Sequence, residues 1–290
     1  MTVSTFIPGG HHSAHKPTVI ALHCSGSTGR QWTKLAQALG NRFNTVAPDL
    51  IGSGGTPFWR GDHRFRLQDE AAPIIDIVDA AYGPVHLVGH SYGGGVALRV
   101  ACERPHRVAS LSLYEPSAFH VLRALGAQGQ AALAEIRAVA EDVAQGVVSG
   151  DYRSAARRFV DYWNHDGTWD AIKPESRAEL TGYVRKATLE FNALIDEPTP
   201  LVDFRRIEAP VLLMRGQRAP VPSALVVQKL FTVFHHALIE EIAGAGHMGP
   251  FSHADWVSNM IAAHIAAVAH RDLAPPAKNL VRPIGGCAVA

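Results

Sequence analysis

The sequence predicts an α/β protein, a mostly parallel, doubly wound sheet with an inserted helical lid. Three observations predict it. Short β-branched runs alternate with longer helical periods, the pattern of a parallel sheet with helices on both faces. The alternation stops between about residues 117 and 199, where amphipathic helical stretches follow one another without a convincing strand. The chain has 290 residues, 47% of them hydrophobic, enough to bury a full core without disulfides or a metal.

Taken in order, a weak run at 2–7 suits an edge strand. Six runs read as buried strands, at 18–23, 44–47, 85–89, 108–114, 210–215 and 237–242. Helical periods lie between and after them at 29–39, 65–82, 92–103, 224–234 and 255–269, several opened or closed by Gly or Pro. The inserted block holds further amphipathic stretches at 130–148, 152–163 and 175–195. A purely helical block between two strands of a parallel sheet reads as a lid over the carboxyl edge, where open α/β sheets bind ligands. The expected division is 1–116 with 200–270 as the core, 117–199 as the cap, and 271–290 as an extended tail with Pro275, Pro276 and Pro283.

Composition narrows the partners. With 27 Lys+Arg against 26 Asp+Glu the formal charge is +1, and no Lys/Arg run exceeds two, so the chain lacks the clustered cations a nucleic-acid surface needs. The longest apolar window, 260–269, is interrupted by His264 and is too short for a bilayer, so no membrane partner is expected. The first residues show no basic region followed by an apolar stretch, which makes the cytoplasm the expected location. Cys24, Cys102 and Cys287 are odd in number and lack metal-ligand spacing, as suits a reducing compartment. Histidine is abundant, at 16 residues, and the question is whether it builds a site.

The strongest chemical signal is Gly89-His90-Ser91-Tyr92-Gly93, a G-x-S-x-G directly between an apolar strand and a helix. A serine on such a sharp turn is forced into strained backbone angles that expose its Oγ, and the flanking glycines let other backbone approach without a Cβ clash. The helix N-terminus then offers free N–H groups to an oxyanion. Two further elements stand at strand ends: Leu22-His23-Cys24-Ser25-Gly26, and the glycine-rich loop Gly244-Ala245-Gly246-His247-Met248-Gly249-Pro250.

With these motifs, over roughly residues 17 to 270, the chain resembles the α/β-hydrolase family. The resemblance implies Ser91 as nucleophile, His247 as the base that takes and returns its proton, and the backbone N–H groups of Ser25 and Tyr92 as the oxyanion hole. Cys24 stands where members commonly carry glycine. His253 is the rival histidine, expected to start or cap the following helix. The acid departs from the family pattern: in Arg215-Gly216-Gln217-Arg218-Ala219, Ala219 holds the usual aspartate position. A carboxylate at the end of an earlier strand is an alternative placement in some members, haloalkane dehalogenases among them. Glu115, in Tyr114-Glu115-Pro116, would keep the order serine, acid, histidine; Glu190 or Asp196 from the lid is the other option. Asp49 reads as a structural turn residue. His11, His12 and His15 lack an accompanying carboxylate, and His235 and His236 suit a helix end.

The resulting expectation is a serine hydrolase needing no cofactor and no metal. Its substrate would be a small or medium, largely apolar ester, or a C–C bond beside a ketone, under a lid rich in aromatics such as Phe119, Phe159, Trp163 and Phe191. Dehalogenases and epoxide hydrolases are excluded, because they carry aspartate where this chain has Ser91. The alternatives are a non-catalytic ligand-binding protein on the same scaffold, or a cofactor-free haloperoxidase, oxygenase or lyase. A homodimer is left open.

Overall fold

The computed structural model describes residues 5–6 and 15–273, so His11, His12, Cys287 and the tail beyond Leu273 lie outside the described residues. Seven strands form one sheet: β1 (Thr5–Phe6), β2 (Thr18–Leu22), β3 (Asn44–Pro48), β4 (Val85–His90), β5 (Val108–Tyr114), β6 (Val211–Gly216) and β7 (Ala237–Ile242). Their order is β1-β3-β2-β4-β5-β6-β7, with β1 antiparallel to β3 and every other pair parallel. The six strands read from sequence are present within a residue of their expected ends.

The helices are α1 (Thr33–Leu39), α2 (Leu67–Ala80), α3 (Tyr92–Glu103), α4 (Gly126–Ser149), α5 (Tyr152–Trp163), α6 (Thr168–Ala171), α7 (Pro174–Ile195), α8 (Val221–Phe231), α9 (Gly249–Ser252) and α10 (Ala254–Leu273). Strand alternation sends successive side chains to opposite faces. Val19, Ala21, Val88 and Met214 pack with α1 and α10, while Ile20, Leu22, Leu87 and Leu113 pack with α2, α3 and α8. Helices α4 to α7 fill the interval between β5 and β6 and join the second of these cores through Ile136, Phe159 and Phe191.

Several helices differ from their expected bounds by two to four residues, α1 and α8 for visible reasons. The period at 29–39 divides into a 3-10 turn (Gly29–Trp32) and α1, where Gly29 lies against the β3 backbone and its N–H donates to Asp49 Oδ1 at 2.8 Å. Helix α8 begins at Val221 rather than 224, because Pro222 sits in the first turn, where its missing N–H has no intrahelical partner to lose.

A 3-10 turn (Phe119–Leu125) carries His120 into the interior with neither ring nitrogen hydrogen-bonded. Burial lowers its pKa to about 4. The folded value lies below the unfolded one, so its contribution is intact above pH 6.5 and is lost as pH falls from 6.5 towards 4, where the unfolded chain takes the proton first. His120→Leu should therefore flatten the acid-side fall in Tm over that window. The slope removed is at most about 1.4 kcal/mol per pH unit. An unchanged Tm against pH profile would contradict this.

Candidate active site

All the candidate residues sit at the carboxyl edge of the sheet, because each immediately follows a strand or lies in the loop after one. Ser91 follows β4, Glu115 follows β5, Ser25 lies beyond β2 and His247 beyond β7. Strands β4 and β5 pair His90 with Tyr114, so Ser91 and Glu115 are the next residues out on neighbouring strands. They are also the only non-glycine residues of positive φ among those described, at 52° and 40°. Such strain costs about 1–3 kcal/mol per residue and persists only where the surroundings enforce it.

The enforcement at Ser91 is visible. Its N–H donates to Tyr114 O and its carbonyl accepts from Ser117 N–H, both at 3.0 Å. The turn closes only because Gly89 and Gly93 lack side chains: a Cβ on Gly93 would meet His23 O at 2.4 Å, and one on Gly89 would meet Gly93 O at 2.6 Å. Glu115 is held by its own N–H, which donates to Met214 O at 2.9 Å, and by Gly216 N–H, which donates to its Oε1 at 2.8 Å.

From these anchors a hydrogen-bonded line runs through three buried side chains. Ser91 Oγ lies 2.8 Å from His247 Nε2, and His247 Nδ1 lies 2.7 Å from Glu115 Oε2. Ala219 forms part of the turn after β6, and the carboxylate on His247 comes from β5 instead. Glu190 reaches Ser25 rather than His247, and Asp196 pairs with Arg64 at 2.7 Å. His253 bonds its neighbour Ser252 at 2.9 Å and precedes α10. Asp49 binds the N–H groups of Gly29 and Gly55, as a turn residue does.

Two other histidines hold backbone. His23 Nε2 accepts from Leu50 N–H at 3.0 Å, so its proton is on Nδ1, which donates to Cys24 O at 2.7 Å. His90 donates from Nε2 to His247 O at 2.9 Å while its Nδ1 accepts from Gln31 Nε2 at 3.0 Å; the other end of that amide, Oε1, accepts Cys24 N–H. Burial lowers the pKa of both rings, that of His90 well below the ordinary range, and keeps them neutral. Burial pushes the Cys24 thiol up, away from the thiolate a nucleophile needs.

The Ser25 and Tyr92 N–H groups make no hydrogen bond within the protein among the described residues, and Tyr92 is the first residue of α3. A cavity of about 330 Å³ opens above Ser91 and His247. Its walls are mostly apolar, with Phe119, Phe159, Trp163, Phe191 and Leu194 from the segment after β5. The Trp163 ring stacks on the His247 imidazole at a centroid distance of 4.4 Å. Sequence reading had no means of singling out that indole among the aromatics of the insert.

A model of the alpha/beta hydrolase family matches residues 19–260, which takes in Ser91, Glu115 and His247. The chain belongs to this family. Among its relatives, a protein of Chromobacterium violaceum named pimeloyl-[acyl-carrier protein] methyl ester esterase is 28% identical over 86% of this chain and 94% of its own. Lipase LipV of Mycobacterium tuberculosis is 38% identical over 34% of this chain and 37% of its own length. With several other curated relatives, too, the chain aligns with little more than a quarter of the relative's length. Among solved structures, a hydrolase from Pseudomonas aeruginosa superposes with a TM-score of 0.69 at 23% identity, covering 91% of this chain and 94% of that one. An enol-lactonase from Burkholderia xenovorans does so at 0.68 and 16%, covering 91% and 96%, a likeness of fold. The G-x-S-x-G elbow and the α/β-hydrolase sheet were thus legible in sequence. The buried Glu70 and Lys186 beside the site were not.

Proposed function

We propose that this protein is a serine hydrolase that cleaves a small or medium, largely uncharged ester through an acyl-enzyme. The observation that carries the reading is the unbroken line Ser91–His247–Glu115 at the floor of an apolar cavity. Ser91 Oγ attacks the ester carbonyl carbon as its proton passes to His247 Nε2, and the carbonyl oxygen takes the negative charge. The Ser25 and Tyr92 N–H groups receive that oxyanion. Collapse expels the alkoxide, which leaves as alcohol with the proton from His247. Water, deprotonated by the same nitrogen, then attacks the acyl-enzyme and releases the acid and free Ser91. Glu115 keeps the Nδ1 proton in place throughout, so that Nε2 is the nitrogen that takes up and returns the proton at Ser91.

The helices between β5 and β6 act in this reading as the lid that roofs the pocket. A volume of about 330 Å³ suits a modest acyl or alcohol group rather than a long chain. The esterase and lipase names among the relatives point the same way. An intact nucleophile and base, each hydrogen-bonded as the chemistry requires, weigh against a scaffold that only binds.

A fluorophosphonate probe tests the proposal. It should form one covalent adduct, located by peptide mass spectrometry at Ser91, and abolish hydrolysis of p-nitrophenyl acetate. Folded protein that neither labels nor turns over this ester would rule the proposal out.

A further inference from the structure

A buried charged network lies beside the cavity, and no step above uses it. Lys186 on α7 is fully buried, and its Nζ donates to Glu70 Oε2 at 2.7 Å and to Glu190 Oε1 at 3.3 Å. Glu70, on α2, also accepts from Tyr92 Oη at 2.6 Å and from Ile51 N–H at 2.6 Å. Glu190, on α7, accepts the Tyr183 hydroxyl at Oε1 and the Ser25 hydroxyl, at 2.6 Å, at Oε2. Two buried carboxylates thus share one ammonium. Burial pushes the Glu190 carboxyl up, with Lys186 pulling against it. Desolvating such ions costs several kcal/mol each, and well-packed apolar side chains are often as stable or more so. Stability is therefore a poor reason for the network, whereas fixing the geometry of what it touches is a good one.

What it touches is both halves of the oxyanion hole. The side chains of Ser25 and Tyr92, whose backbone N–H groups face the oxyanion in the proposed reaction, donate to Glu190 and Glu70 respectively, and Lys186 joins those two carboxylates. Lys186 and Glu190 both belong to the inserted helix α7, and Glu190 lines the cavity. We propose that Glu190 is a positioning residue for the oxyanion hole: through Ser25 and the Lys186–Glu70 pair it makes alignment of the two N–H donors depend on α7 being docked. The inference rests on the serine-hydrolase reading. It adds that the helix forming the pocket roof also completes the site beneath it.

Glu190→Met tests this. It removes the acceptor while keeping volume, and leaves Lys186 and Glu70 as a one-to-one pair. With p-nitrophenyl butyrate, kcat should fall about 10- to 100-fold, short of the 10²–10³ that loss of a whole hole donor costs, with KM within about threefold. Labelling of Ser91 by the fluorophosphonate should slow by a similar factor. Glu190→Gln, which can keep a hydrogen bond to Ser25, should recover most of the loss. Ser25→Ala should match Glu190→Met, and the double variant should fall no further than either, since both break one link. A kcat within threefold of wild type, a change confined to KM, equal losses in Met and Gln, or multiplying losses in the double variant would each overturn the inference. Should Glu190→Met fail to fold, Ser25→Ala alone decides, since an unchanged kcat there breaks the proposed link. Wild-type protein that does not label refutes the hydrolase reading and this inference with it; normal wild-type labelling with multiplying losses refutes this inference alone.

Discussion

Glu115→Gln is expected to lower kcat about 10⁴-fold with little change in fold, a loss of the size seen when an orienting carboxylate becomes an amide. The local geometry says why an isosteric change does so much. Gly216 N–H donates to Oε1, so the amide must turn its oxygen to Gly216 and its NH2 to His247. Nδ1 then has to accept, which moves the ring proton to Nε2, the atom facing Ser91. A protonated Nε2 cannot receive the serine proton. The check is kcat for p-nitrophenyl acetate beside a thermal melt. Activity within about threefold of wild type, in protein melting normally, would show that the acid lies elsewhere.

Lys186→Met is the other large effect, this time on stability. Lys186 is fully buried between Glu70 and Glu190, and although burial lowers its pKa, the two carboxylates more than offset this and hold it above the ordinary value. Removing the ammonium strands two buried carboxylates, Glu70 fully enclosed and Glu190 at the cavity wall. The expected loss is about 3–5 kcal/mol, or roughly 6–15 °C in Tm for a chain of this size. Neutralising all three positions, as Lys186→Met with Glu70→Gln and Glu190→Gln, should recover most of it. Both follow from thermal melts at one pH, and a Lys186→Met shift under 2 °C would mean the pair is not buried in solution.

The strands were legible because parallel strands buried on both faces read as continuous hydrophobic runs, such as Val19, Ile20, Ala21, Leu22. Ser91 was legible because its turn forces glycine at 89 and 93. The proposed acid was harder: Ala219 said only that the usual place was vacant, and Glu115 was reached through family likeness rather than any local pattern. The network was missed for a physical reason. Lys186 and Glu190 stand four apart on a helix, the ordinary spacing of a solvent-facing pair, and Glu70 lies in the first turn of α2, where acids suit the helix dipole. The available hint was that both α7 residues fall in the same stripe as Tyr183, Ala187 and Leu194, which places charge on the apolar side.

The position of Glu115 bears on how this protein can change. The proposed acid and the inserted helices are joined by a few residues, since Glu115 is followed by Pro116, Ser117 and Ala118 before the turn at Phe119. The turn after β6 carries no carboxylate but braces the loop of His247: Arg218 N–H donates to Ala245 O at 2.8 Å, and Gln217 Oε1 accepts from Gly244 N–H at 2.9 Å. Grafting a foreign roof onto this core would therefore have to preserve the backbone twist at Glu115. In the proposed reaction, substrate range and proton relay are therefore inherited together.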